Sequence, residues 1–168
     1  LLEPLWSRRH VRTIMITMAE EFGVEDRGRF YDPVGALRDV VQNHLLQILA
    51  LTGLEPPSGG SLSQRRLDFF RSVETVHPAN AVRGQYVGYR QIDGVDPDST
   101  TETFVALKLN VHSWRWANVP IFIRTGKKMP MTATEIVVRL EPPPEVSIGG
   151  HDLPHKGHDD IILRIGTN

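Results

Sequence analysis

Four segments in the second half of the chain alternate apolar residues with polar or small ones, and no helical segment separates them. They are TFVALKLNV, PIFIR, TEIVVRLE and DIILRI. A period of two is typical of a strand with one packed face. Because strands joined without intervening helices pair most simply as antiparallel neighbours, we expect an antiparallel meander. The predicted fold class is α+β, with a large, mostly antiparallel sheet and helices packed on one face.

Two helices are predicted before these strands. Asp32 followed by Pro33 is a helix-start signal, because aspartate accepts hydrogen bonds from free N–H groups and proline is tolerated in the first turn. Apolar residues then recur at helical spacing as far as Gly53, which supplies a stop. We therefore predict a helix over residues 33–52, and a shorter amphipathic helix over residues 62–73.

The first thirty residues predict a strand followed by a loop. In HVRTIMITMAE, Ile14, Ile16 and Met18 alternate with Thr13, Met15 and Thr17, which predicts a central strand covered on both sides and ending at Glu20 and Glu21. The polar, glycine-punctuated residues 22–33 are predicted to form a loop, and so are residues 77–99.

The composition limits the class of partner. The 168 residues carry a formal charge of −1, from 19 basic and 20 acidic side chains, so no overall field favours nucleic acid or an anionic membrane. Apolar runs are far shorter than the roughly 20 residues of a membrane helix. The sequence has no cysteine, which agrees with a reducing compartment. We expect a soluble, cytoplasmic protein with neither nucleic acid nor membrane as a partner.

His44 is the unusual residue of the longer predicted helix. At about 100° per residue it falls in one sector with Leu37, Val41 and Ile48, so we expect the imidazole to point with the core stripe. One interpretation is a buried histidine satisfied by a backbone carbonyl. The other is a stripe that lines a crevice, where a neutral imidazole removes a proton from a substrate hydroxyl. Asp39 lies about 140° around the axis from His44 and is expected to reach a shared ligand from a different side.

Charged residues follow two of the predicted strands. Gly126, Lys127 and Lys128 come after IFIRT, where a basic cluster with glycine access could hold a phosphate or sugar hydroxyls. A solvated turn is the alternative. Glu20, at the end of the first strand, could accept hydrogen bonds from hydroxyl groups or have no specific role.

Nucleotide and metal motifs are missing from the sequence. There is no GxGxxG after a strand, no Walker loop and no HExxH. His151, His155 and His158 are close in sequence, but Pro154 and Gly157 interrupt them. We therefore predict a flexible polar loop there, and no metal site.

Several segments, taken in order, closely resemble the C-terminal half of the glucose-6-phosphate dehydrogenase family. They are ITMAEEFGVEDRGRFYDPVGALRDVVQNHLLQ, VRGQYVGY, STTETFVALKLNV, RWANVPIFIRTGKK and TEIVVRL. The most specific pattern is QNHLLQ followed at the proper distance by VPIFIRTGK. The resemblance implies that residues 1–168 are a partial C-terminal α+β domain of this family, truncated at both ends. The N-terminal Rossmann domain would then be absent from this chain.

The resemblance also implies a reaction and its residues. Members of the family oxidise glucose 6-phosphate to 6-phosphogluconolactone with hydride transfer to NADP, in the pentose phosphate pathway. The histidine of the QNH motif is their general base, which would be His44, whereas Glu20, Asp39 and Lys127 would bind the substrate. The absent domain would make most of the contacts with NADP, and its residues would determine the preference for NADP or NAD. We expect the fragment alone to be inactive, and the sheet to mediate homo-oligomers.

Two positions depart from the family pattern. Thr132 stands five residues after Lys127, where members often have a second substrate lysine, so that contact stays unassigned. Asn118 replaces the glycine of RWxGVPF. Asparagine can adopt a left-handed backbone conformation, so we expect the turn to be retained.

Two other functions compete with this enzyme. A noncatalytic oligomerisation or sugar-phosphate-binding module would have the sheet without the chemistry, but the presence of His44 and Asp39 favours the enzyme. A glycosidase is disfavoured, because Glu20 and Glu21 are adjacent on a strand and face opposite sides.

Overall fold

The computed structural model describes residues 2–56, 59–142 and 157–166, together with the backbone of residues 146–148 and 151–153. Its helices are α1 (Gly28–Tyr31), a π-helix (Leu37–Leu45), α2 (Leu46–Gly53) and α3 (Leu62–Arg71). Single 3-10 turns occur at Glu3–Leu5, Glu25–Arg27, Pro78–Asn80 and Tyr89–Gln91. The strands are β1 (Val11–Ala19), β2 (Ala81–Gly84), β3 (Phe104–Leu109), β4 (Ile121–Gly126), β5 (Ala133–Leu140), β6 (Val146–Ile148), β7 (His151–Leu153) and β8 (Asp160–Arg164). No helix in these ranges is both long and apolar enough to cross a lipid bilayer.

Six strands form one sheet in the order β2-β3-β4-β1-β5-β8. β1 runs parallel to β4, and the other neighbouring pairs are antiparallel. The prediction of a mostly antiparallel sheet with helices is therefore confirmed. The predicted meander is wrong, because β1 inserts between β4 and β5. β1 suits this central place because Ile16 on one face and Thr17 on the other are both buried.

The predictions for the loops, the shorter helix and the Asn118 turn have mixed outcomes in the structure. Residues 77–99 contain β2, and residues 22–33 contain α1, so neither segment is only a loop. β7 lies inside the predicted polar loop and pairs antiparallel with β6, which precedes that loop, whereas His155 lies outside the described residues. The shorter helix is confirmed as α3, and its N-cap Ser61 accepts a hydrogen bond from the N–H of Gln64 at 3.2 Å. Asn118 has φ +68°, so the left-handed turn is present.

The core lies between the sheet and the π-helix with α2. Alternate residues of the central strands and the inward side of the two helices are buried together: Ile14, Ile16, Val40, Val41, Leu45, Leu49, Val105, Ile121, Ile123 and Val138. Each fully buried aliphatic side chain contributes about 1.5–3 kcal/mol relative to an exposed one. Trp116 is also fully buried, and its indole N–H donates to the carbonyl of Gly53 at 2.8 Å. This bond satisfies a free carbonyl at the end of α2.

The long predicted helix is present, but it starts later than predicted because Asp32 has another role. The Asp32 carboxylate accepts hydrogen bonds from the Tyr89 hydroxyl at 2.7 Å, the Ser99 hydroxyl and the N–H of Asp96. Burial opposes the charge of this carboxyl, but the hydrogen bonds outweigh it and hold the pKa of Asp32 below its ordinary value. Asp32 therefore fastens the loop around residues 89–101 to the segment ahead of the π-helix.

Candidate active site

Glu20 and Lys127 lie side by side at one edge of the sheet. β1 and β4 are parallel, and Ala19 pairs with Gly126 at their last position. The next residue of each strand, Glu20 or Lys127, therefore leaves the sheet at the same edge. The Lys127 Nζ donates to the Glu20 Oε2 at 2.6 Å, and the two side chains are 3% and 25% exposed. The alternative of a solvated turn is wrong for Lys127, because its side chain is buried.

Aromatic rings enclose the Lys127 ammonium group. Its Nζ lies 5.2 Å from the centre of the Phe22 ring and 5.4 Å from that of Tyr31, within the range of cation–π attraction. Burial raises the pKa of Tyr31, and the charges of Asp39 and Glu20 act in the same direction. Tyr31 is therefore a neutral phenol beside the Lys127 ammonium group. The rings and Glu20 together hold a positive charge in a fixed position.

Asp39 and His44 lie on the π-helix, which changes their predicted relation. A π-helix has about 4.4 residues per turn, so residues five apart lie about 50° from each other rather than about 140°. The predicted angle of about 140° between Asp39 and His44 is therefore too large. The Leu46 N–H bonds to the Val41 carbonyl five residues earlier, which is the π-helical pattern. Asp39 is partly buried and His44 is exposed.

The position of His44 corrects a second prediction. In a π-helix His44 lies about 115° from Val41 instead of about 60°, which moves it off the core stripe. Val40, Val41 and Leu45 occupy the inward positions, and the imidazole faces outward. The interpretation of His44 as a buried core histidine is therefore contradicted. Its ring is accessible to a ligand or to another part of a larger protein.

Sequence reasoning missed one residue that shapes this site, the buried Glu102. Its Oε1 accepts the N–H of Leu37 at 3.0 Å, at the start of the π-helix. Glu102 lies in the family-like segment STTETFVALKLNV but belongs to no periodic pattern, so the sequence carries no local signal for this contact. Thr132, left unassigned above, accepts the N–H of Glu21 through its Oγ1 at 3.0 Å. Thr132 therefore supports the loop that follows Glu20.

The arrangement suits a polyhydroxyl ligand. A held ammonium and two carboxylates supply hydrogen-bond donors and acceptors, and an exposed imidazole on the same helix as Asp39 can accept a proton. No group of three or more histidine, aspartate or glutamate side chains suited to a metal ion occurs in the described part of the chain.

Comparisons with known proteins identify the relatives of this domain. Residues 1–168 match a family described as glucose-6-phosphate dehydrogenase, C-terminal domain. Glucose-6-phosphate 1-dehydrogenase 1 of Mycobacterium tuberculosis is 50% identical over 98% of this chain and 36% of its own length. The crystal structure of glucose-6-phosphate 1-dehydrogenase from Mycobacterium avium has a TM-score of 0.88 at 49% identity, and covers 97% of this chain and 36% of that one. A glucose-6-phosphate dehydrogenase in complex with its substrate glucose-6-phosphate has the same TM-score at 26% identity, over 99% and 36% of the chains. This chain therefore spans about a third of the length of these relatives.

Proposed function

Because the chain belongs to the glucose-6-phosphate dehydrogenase family, we propose that it forms the substrate side of an enzyme that oxidises glucose 6-phosphate to 6-phosphogluconolactone, with hydride transfer to NADP. The observation that carries this proposal is the edge of the sheet where Glu20 and Lys127 pair, beside the π-helix that bears Asp39 and His44. The relatives named above are about three times as long, so the proposal concerns a whole protein of which these residues form part.

Three residues bind the sugar phosphate in this proposal. The carboxylates of Glu20 and Asp39 accept hydrogen bonds from sugar hydroxyls. The Lys127 ammonium has three N–H donors, of which Glu20 takes one at 2.6 Å, and a substrate oxygen accepts from another. Because Lys127 is buried against two aromatic rings, it needs little reorganisation when substrate binds.

His44 acts as the general base. A neutral ring nitrogen takes the proton of the anomeric hydroxyl, and the carbon–hydrogen bond of the same carbon breaks as its electron pair leaves as hydride. The oxygen and carbon then share a double bond, which gives the lactone. A rigid helix holds the base at a fixed distance from this carbon. The exposure of His44 leaves room for the rest of the protein to close over it and exclude water.

NADP, when bound, supplies the nicotinamide ring that receives the hydride. Residues 1–168 do not form a dinucleotide site of the Rossmann type, because they lack a glycine-rich turn between a strand and a helix. We therefore assign NADP binding mainly to a Rossmann domain in the other part of the whole protein.

The purified 168-residue chain is expected to give no turnover, whereas the whole protein reduces NADP in the presence of glucose 6-phosphate. The reason is that the hydride acceptor has no site on the fragment. The measurement is the appearance of reduced nicotinamide, followed by absorbance, with both proteins at equal concentration. NADP reduction by the fragment, or none by the whole protein, would contradict the proposal.

We also propose that the open face of the sheet joins two copies of the enzyme. Strand registers place Lys108, Phe122, Met15, Val137 and Ile162 in one row across the sheet. Phe122 is 41% and Ile162 is 52% exposed on this face. An exposed apolar row of this kind is typical of a protein interface. A sugar-binding or oligomerisation module without catalysis would share this face, so the oligomer does not by itself discriminate between the two functions.

Replacing Phe122 with glutamate is expected to weaken self-association of the whole protein by about 10-fold or more, because a charge replaces an apolar contact near the centre of the interface. Sedimentation velocity over a range of concentrations measures the change. Trp114→Glu is the control, since Trp114 is 80% exposed on the turn after β3. An unchanged oligomer for Phe122→Glu would place the interface elsewhere.

We also propose that the enzyme is cytoplasmic, in keeping with the absence of cysteine from these 168 residues, and cell fractionation checks this.

A further inference from the structure

Glu102 is a buried carboxylate at the start of β3. The residue is 7% exposed, and an ionised group loses favourable hydration when it is removed from water. Such a group persists where other polar groups compensate for the loss of water. The partners of Glu102 therefore indicate why a charge is placed here.

The partners lie mainly at the start of the π-helix. The Glu102 Oε1 accepts the N–H of Leu37 at 3.0 Å, and its backbone oxygen accepts the N–H of Ala36 at 3.0 Å. These are free N–H groups of a first helical turn, where negative charge is favourable. On the other side, the Oε2 lies 3.6 Å from the Nη1 of Arg83 on β2. Glu102 thus caps the helix from a different element of the fold.

The backbone at Gly35 fits this contact closely. Gly35 has φ +69°, and a Cβ atom at this position would lie 2.7 Å from the Glu102 Oε1. A side chain would therefore both strain the backbone and displace the carboxylate. The close approach of the helix start to Glu102 requires glycine here.

The same short segment also fixes Lys127. Thr103, the next residue, is fully buried, and its carbonyl accepts the N–H of Lys127 at 3.0 Å. The Glu102 carbonyl further accepts the hydroxyl of Tyr31, whose ring lies against Lys127. Two consecutive residues therefore connect the helix that bears Asp39 and His44 with the lysine of the same site.

We propose that Glu102 is a positioning residue, which keeps the first turn of the π-helix in place and so directs Asp39 and His44 toward the substrate. This inference rests on the proposed function. If the helix start is released, the stretch can relax to an α-helix, which would change the angle between Asp39 and His44 from about 50° to about 140°. A base displaced in this way loses alignment with the anomeric hydroxyl.

Three variants of the whole enzyme test the proposal. Glu102→Ala removes the cap and is expected to lower kcat by about 10- to 100-fold, since a small misplacement of a reacting group has effects of that order. Glu102→Gln has the same length and an acceptor oxygen, and is expected to stay within about threefold of wild type. Glu102→Asp has the charge but one methylene less, so it cannot reach the Leu37 N–H, and its kcat is expected to fall below that of Glu102→Gln.

The readouts separate positioning from stability. Glucose 6-phosphate deuterated at the anomeric carbon is expected to give a larger isotope effect on kcat in Glu102→Ala, because hydride transfer becomes more rate-limiting. Titration of substrate sites by calorimetry corrects kcat for misfolded protein. The control is Glu74→Ala, which removes a half-exposed carboxylate elsewhere.

The possible outcomes are distinct. An inactive wild-type enzyme refutes the proposed function itself. An active wild type with unchanged kcat and isotope effect in Glu102→Ala overturns the positioning role, even if its melting temperature falls. If Glu102→Ala does not fold, the other two variants decide: higher kcat in Glu102→Gln supports positioning, and higher kcat in Glu102→Asp overturns it in favour of a role for the charge alone.

Discussion

Replacing His44 with asparagine in the whole enzyme is expected to lower kcat by about 10²- to 10⁴-fold, the usual contribution of a general base. Asparagine cannot accept the proton of the anomeric hydroxyl at neutral pH. The KM for glucose 6-phosphate is expected to change by less than about threefold, because the three residues proposed to bind the sugar phosphate, Glu20, Asp39 and Lys127, are unchanged. Initial rates over a range of substrate concentrations measure both constants.

A matched variant gives an independent check on His44. His112→Asn is the matched control, because His112 is exposed and pairs with Glu74 away from the site. Wild-type kinetics in His44→Asn would remove the base role and leave a surface histidine.

Replacing Lys127 with methionine is expected to lower kcat/KM by about 30-fold or more, mainly through a higher KM. Truncating one partner of a buried charge pair costs about 2–5 kcal/mol. The substrate loses a charged donor, and Glu20, at 2.6 Å, loses its ion-pair partner. Arg71→Met is the control, since Arg71 forms an exposed ion pair with Asp68 on α3.

A second substitution separates binding from folding at Lys127. In the double variant Glu20→Gln with Lys127→Met, the unpaired carboxylate is removed, so the melting temperature is expected to recover toward that of the wild type. The KM is expected to stay high, because neither charged group remains for the substrate. A KM restored together with the melting temperature would mean that Lys127 only neutralises Glu20.

Local sequence patterns predicted which residues belong to the candidate site better than they predicted the contacts between those residues. Glu20 and Lys127 were found because each follows a clear strand, and both are at the site edge. Their contact could not be predicted, because it depends on β1 running parallel to β4. The two residues of the ion pair are 107 positions apart in the sequence. A strand pattern specifies which residues face the core, but it does not specify the neighbouring strand.

His44 shows a different limit of sequence reasoning. The apolar spacing over residues 37–48 fits an α-helix, and the angles derived from it placed the imidazole in the core. The π-helical hydrogen bonds alter every angle along Leu37–Leu45, and so the imidazole faces outward. Glu102 could not be found from local sequence, because it contacts Leu37 at the start of the π-helix, 65 residues earlier in the chain.

The insertion of β1 between β4 and β5 has a consequence for biosynthesis. β1 leaves the ribosome before β4 and β5, and these two neighbours are complete only after residue 140 has been made. At about 5–20 residues per second, this strand waits on the order of 10 seconds with both edges unpaired. During that interval its apolar side chains are a target for chaperones and for aggregation, and the edge that bears Glu20 and Lys127 does not exist until translation of the central strands is finished.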